Sequence, residues 1–356
     1  MRKFLLAATL TVATGLFAAD PYTITQLTSD VAGVGTFTDT KLVNAWGLAR
    51  SPTGPWWVNA NGTGLSLVYD AMGDPGSSPV IVSVQVPAGG TPPSAPTGLV
   101  FNSTTAFPLT PGNPSLFLFV TEGGTIAGWN PAVSPSHAIT KIDNSTTGAV
   151  YKGVALGMLN GANVLYAANF HAGTVEVYRG DFAKVPLDTT AFVDPMVPAG
   201  YGPFNVANIG GLIYVAYAKQ DPDAKDDVPG PGFGYVTIFN ADGTMVRRLQ
   251  HGSWMNAPWA IVQAGSNFGS MSGMIIVGNF GNGSVVGFDA TTGAVAAIMR
   301  GPNGKAVVIP GLWGLGFGND GAGGPSSSLY FAAGGRSEAH GLFGTLTVTT
   351  PPPGVQ

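Results

Sequence analysis

The 356-residue chain contains no cysteine, which excludes a disulfide framework, a thiolate nucleophile and a thiolate metal site. Charge is scarce: Asp, Glu, Lys and Arg make up 10% of the residues, against about 25% in an ordinary globular domain. The net charge is −4 and no Lys/Arg cluster occurs, so the footprint of a nucleic-acid binder is missing. There is no Gly-x-Ser-x-Gly elbow, no His-Glu-x-x-His helix and no phosphate loop, which weighs against the commonest hydrolase and nucleotide chemistries, although a site can also be assembled from scattered loop residues. Beyond the first twenty residues no uninterrupted apolar run reaches the length of a membrane-spanning helix.

What is abundant points to short strands and tight turns. The 53 glycines and 28 prolines exceed a fifth of the chain, yet 45% of residues are hydrophobic and 10% aromatic. That combination fits a β protein punctuated by turns better than a disordered one. At the N-terminus, the basic Met1-Arg2-Lys3, the apolar stretch from Phe4 to Phe17 and the small pair Ala18-Ala19 have the layout of a secretory signal peptide. A retained membrane anchor is the alternative. The expected organisation is a leader over 1–19, a folded domain over 20–348 and a short Pro-rich tail over 349–356. The expected location is extracytoplasmic, periplasmic or secreted, with no stable transmembrane segment in the mature chain and a monomeric state.

The folded part repeats. Small apolar segments recur at Gly47, Gly98, Gly153, Asn205, Ala260 and Gly314, at steps of 51 to 55 residues. A second landmark keeps the same phase: an aromatic residue ends a strand before a turn at Tyr69, Trp129, Tyr178, Phe239, Phe288 and Phe343. Each unit thus offers an inner strand, two more strands and usually a fourth, such as 245–249 or 295–299. Four-stranded units repeated around an axis are propeller blades. The small residues suit inner strands, where converging blades leave least room. The sixth unit lacks a fourth strand, and Tyr22 to Leu27 is an unassigned strand that fits there and protects the open edges. The sequence therefore predicts an all-β, six-bladed β-propeller whose N-terminal strand closes the last blade. A stacked solenoid is the rival, with repeats that are normally shorter.

In such a ring the loops between second and third strands share a face with the loops leading into the inner strands, around the channel mouth. The polar residues expected there are Glu122, Asn169, His171, Asn205, Lys219, Asp221, Asn279, Arg336, Glu338 and His340, with Asn44, Lys152 and Asn256 on the loops into the inner strands. Two readings stay open for Asn59, Asn169 and Asn279, because Asn also accepts left-handed turn conformations and caps its own backbone. Glu122, Asn169 and Asn279 are the oxygen donors a hard cation such as calcium would take. The expanded fourth-blade loop, Asp221 to Asp227, lacks the Gly and terminal Glu of an EF-hand loop, and a solvated flap is the simpler reading.

The runs Asn44-Ala45-Trp46-Gly47-Leu48-Ala49, Asn169 to Val175, Ala218 to Asp221, Asp226 to Gly232 and Glu338 to Gly344 resemble those of an uncharacterised bacterial propeller family. Some members of that family carry a PEP-CTERM sorting tail. More distantly the repeat resembles NHL-type and gluconolactonase-like propellers, which implies a divalent ion held in the channel mouth by Asn, Asp and Glu. The family brings no catalytic residue with it, and the end of this chain lacks the hydrophobic anchor, so simple export is expected. The function expected is a non-catalytic module that binds a protein, glycan or small molecule. A calcium-type, metal-dependent hydrolase or lactonase with its site at the mouth is the alternative, and enzyme activity stays open.

Overall fold

The computed structural model describes residues 17–349 except positions 78 and 336. The expected leader up to position 16 and the tail from 350 onward lie outside the described residues, as does Arg336. The chain folds as the six-bladed propeller that the repeat predicts. Blade 1 comprises Ala45–Arg50, Trp56–Ala60, Leu65–Tyr69 and Ile81–Ser83. Blade 2 comprises Pro96–Phe101, Phe117–Thr121, Thr125–Trp129 and Ile139–Asp143. Blade 3 has three strands, Tyr151–Leu159, Ala162–Asn169 and Thr174–Arg179. Blade 4 is built from Tyr201–Ile209, Leu212–Lys219, Gly234–Phe239 and Met245–Arg248. Blade 5 is built from Pro258–Gln263, Ile275–Asn279, Val285–Phe288 and Val295–Arg300. Blade 6 supplies Leu312–Phe317, Leu329–Ala333 and Leu342–Val348.

The closing strand, Phe17–Ser29, is longer than the sequence suggests. Its main stretch pairs antiparallel with blade 6, from Tyr22 opposite Val348 to Ser29 opposite Leu342. Its first residues pair parallel with the outer strand of blade 5, Phe17 opposite Ile298 and Pro21 opposite Arg300. One strand therefore joins two blades and merges them into one sheet. Tyr22 anchors it: the fully buried ring donates its hydroxyl proton to the Phe268 carbonyl at 2.9 Å and accepts from the Met271 N–H at 3.2 Å.

Neighbouring blades pack face to face through aromatic and aliphatic side chains. Trp57 stacks on Phe117 at 4.3 Å between blades 1 and 2, and Trp56 meets Tyr330 at 5.0 Å between blades 1 and 6. Toward the axis the inner strands crowd. A Cβ on Gly47 would stand 2.4 Å from the Thr97 carbonyl oxygen of the next blade. On Gly314 it would stand 2.8 Å from that of Trp46. The small residues at the repeat landmark are thus a steric requirement of the ring. Among the described residues no helix is long and apolar enough to cross a membrane.

Candidate functional site

Side chains from different parts of the ring meet on the axis, and in five of the six blades the residue just before the landmark makes these contacts. Trp46 of blade 1 stacks on Trp313 of blade 6 at 3.6 Å. Trp313 in turn meets Phe204 of blade 4 at 5.6 Å and Trp259 of blade 5 at 6.0 Å. The Trp259 indole N–H donates to the Lys152 carbonyl of blade 3 at 3.1 Å. Phe280 adds a further stack on Trp313 at 3.8 Å. These rings form a septum across the bore. On one side is the mouth, where the second-to-third loops emerge, as the pairing of Ala45 with Ala60 and of Tyr151 with Asn169 requires. On the other side the later halves of the inner strands enclose a hollow of about 510 Å3.

Lys152 occupies the septum position where four other blades place an aromatic ring, and it is 1% exposed. Its ammonium lies over the Trp46 ring, 5.1 Å from the centroid. It donates to the Glu122 carboxylate and, at 3.1 Å, to Asp226. Burial alone would lower this lysine, but the charges of Glu122 and Asp226 outweigh it and hold the ammonium above its ordinary value. The two carboxylates thus favour the charged form of Lys152.

Around it the cup is assembled from blades 1, 2, 4 and 6. The Asn61 amide donates to Glu122 at 3.0 Å, and the Asn44 amide donates to Glu338 at 2.8 Å and to Asn61 at 3.3 Å. The Trp313 indole N–H donates to the Asn44 side-chain amide oxygen at 3.2 Å, so the septum orients the cup. Asn44 and Glu338 both adopt left-handed backbone, with φ of 50° and 56°. Asn tolerates that conformation; for Glu it is uncommon, and such outliers gather at functional sites. Burial raises the Glu338 carboxyl against the Asn44 hydrogen bond, and the nearby Glu122 charge raises it further. Asp227 has one carboxylate oxygen buried without a partner. Burial pushes this acid up to about 7; Lys152 opposes that shift, while Glu338 and Asp226 add to it.

Of the residues expected around the mouth, Glu122, Glu338, Asn44 and Lys152 meet in this cup. The other described ones do other things. Asn169 accepts from the N–H groups of Val150 and Ala172 and donates to Glu176. Asn279 accepts from the Asn256 N–H at 2.9 Å and donates to Trp254 and Ser284. Both amides are engaged by hydrogen bonds within their own blades. Among the described residues no three His, Asp or Glu side chains are placed to share a metal. Asn205 is not on a loop: its strand begins at Tyr201, and it sits mid-strand, donating to the Trp259 carbonyl and lining the far hollow. Asp221 accepts from the N–H groups of Lys225 and Asp226 and shapes the blade-4 flap. Lys219 lies over Phe233 at 4.2 Å. His171 bonds the Asp223 carbonyl, tying the flap to blade 3, and His340 pairs with Asp30 at 2.9 Å, beside the closing strand.

The centre of the cup, Lys152, is visible in sequence only as one polar residue on a loop into an inner strand. The signal that marks it is positional. Aligned on the landmark, the preceding residues are Trp46, Thr97, Lys152, Phe204, Trp259 and Trp313, and one cation stands in a mostly aromatic column. Asp226 and Asp227 give no such signal, because the expanded flap breaks the repeat's phase.

No family model matches the chain. Uncharacterized protein R648 of Acanthamoeba polyphaga mimivirus is 33% identical over 305 residues, covering 84% of this chain and 74% of that protein. Uncharacterized protein L690 of the same virus is 32% identical over 321 residues, covering 86% and 81%. Among solved structures, a glucose dehydrogenase superposes with a TM-score of 0.54 at 13% identity, covering 92% of this chain and all of that one. Virginiamycin B lyase from Staphylococcus aureus gives 0.53 at 13%, with the same coverage. At such identities these two report the propeller architecture alone. The viral relatives overturn the expected bacterial family. Runs such as Asn44 to Ala49 contain a septum ring and a glycine that the ring's geometry demands, so they report architecture and not lineage. The chain belongs to the family of mimivirus proteins R648 and L690.

Proposed function

We propose that the chain is a non-catalytic binding module whose ligand sits on the channel mouth, over the cup centred on Lys152. The observation that carries this reading is the cup itself. In a chain with 10% charged residues, four carboxylates from three blades surround one ammonium that is buried and held protonated. No hydroxyl nucleophile with a neighbouring base belongs to that group. Carboxylates in excess over the ammonium suit a ligand that brings hydrogen-bond donors: a basic peptide side chain, an amine or a sugar hydroxyl. In this reading the leader exports the module, and it acts outside the cytoplasm as a monomer.

The test pairs a glycan and basic-peptide array with two variants, Glu338→Gln and Asp226→Asn. Hydrogen bonds to charged groups contribute roughly 1.5–3 kcal/mol, so each variant is expected to weaken a mouth ligand about tenfold or more by calorimetric titration. Ligands that bind both variants as tightly as the parent chain would place recognition elsewhere.

A further inference from the structure

Five blades carry four full strands, and blade 6 obtains its fourth from the far end of the chain. Among the described residues blade 3 alone stops at three. Its outer strand, Thr174–Arg179, begins to be covered and is then abandoned. The Val185 N–H donates to the Val177 carbonyl at 2.8 Å, and the Arg179 N–H donates to Ala183 at 2.9 Å. After Val185 no further backbone group of the covering segment, among the described residues, bonds the strand. Beyond this point the segment swings away and leaves a groove of about 510 Å3 between Thr174–Val177 and residues 184–193.

Alternation along an antiparallel strand fixes what faces that groove. Val177 and Arg179 use their outward-pointing groups for the two bonds just named. Val175, of the same parity, also points its N–H and carbonyl outward, as does the Val177 N–H. None of the three has a backbone partner among the described residues. The groove's apolar lining comes from Val175, Val177, Val185, Leu187, Phe192 and Val193, with the Lys184–Glu176 ion pair and Asp188 also lining it, and Val193 is half exposed. Unpaired strand groups beside an apolar trough are the requirement for adding a strand from outside.

We infer that blade 3 is a strand-acceptor site for an extended peptide segment of a partner protein. Such a segment would pair with Val175 and set an aliphatic side chain against Leu187 and Val193. The occupant's chemistry is written in the chain's own outer strands. Ile139–Asp143 covers blade 2 and Val295–Arg300 covers blade 5, each mixing aliphatic with polar or small residues. Blade 6 shows that the architecture accepts an outer strand from a remote segment. This site is separate from the mouth and stands independently of the function proposed above.

The probe is a fluorescent peptide with the sequence of residues 137–144, titrated against the full chain by anisotropy. Two variants report on the groove. Val175→Pro deletes an N–H that bonds nothing within the blade, at an edge where proline is tolerated. Leu187→Trp fills the trough without touching the strand. Saturable binding that falls at least tenfold in both variants, with slowed amide exchange at Val175 on binding, is the expected result. If Val175→Pro does not fold, Leu187→Trp and the exchange measurement carry the test. Absence of saturable binding, or equal binding to parent and variants, overturns the inference. So does a concentration-dependent dimer of the parent chain that Leu187→Trp abolishes, since the occupant would then be a second copy.

Discussion

A buried ammonium needs counter-charges at close range, and Lys152 has two while Asp227 has no hydrogen-bond partner for one oxygen. The difference has a pH signature. Between the ordinary carboxyl range and about 7, folded Asp227 holds a proton that the unfolded chain releases. Stability from this group is therefore present below the unfolded value and lost as pH rises through 7. Asp227→Asn removes the titration without changing size. The variant is expected to gain about 2–4 kcal/mol over the parent at pH 8 and little at pH 4, read from urea unfolding at the two pH values. A gain independent of pH would show that packing, not charge, decides this site. Sequence alone exposed Glu122 and Glu338 because they sit in loops of known phase. It misplaced Asn205 at the mouth, because its strand starts four residues earlier, at Tyr201, and carries a register shift between Pro203 and Asn205.

The strands were the most legible part, since the 51-to-55-residue phase fixes them wherever aliphatic runs meet turns. The outer strands were less so. They cover blade edges and in blades 2, 4 and 5 carry register shifts against their partners, and in blade 3 the covering segment leaves the strand after Val185. The closing strand was predicted from an unassigned run, but its second attachment was not, because a parallel pairing to blade 5 leaves no pattern in the residues themselves. That strand's stability rests heavily on Tyr22. Tyr22→Ala empties a fully buried site, strands the Phe268 carbonyl and the Met271 N–H, and is expected to cost about 3–5 kcal/mol. Chemical denaturation measures this. Tyr22→Phe keeps the ring and should lose only the hydroxyl's share, about 1–2 kcal/mol.

As a whole the ring has one seam, and the closing strand bridges it twice. A chain that starts at Asp30 loses the fourth strand of blade 6 and the joint to blade 5. Such a chain is expected to unfold in a broader transition at lower temperature and to self-associate through the bared edge, as calorimetry and size-exclusion chromatography would show. Retained monomeric behaviour with a single sharp transition would mean that the interblade packing closes the ring unaided.

The septum separates two faces whose binding events share a wall. Trp259 lines the far hollow and also grips the Lys152 carbonyl behind the mouth. The seam has a different consequence, in time. Ser29 pairs with Leu342, so the first strand made waits for the last. At about 5–20 residues per second of synthesis, that interval lasts on the order of 15–60 s, during which five blades can form while the ring stays open. Whatever accompanies this chain during its production must keep a finished but unmatched strand from finding the wrong edge, and the short outer strand of blade 3 is the nearest decoy of its own making.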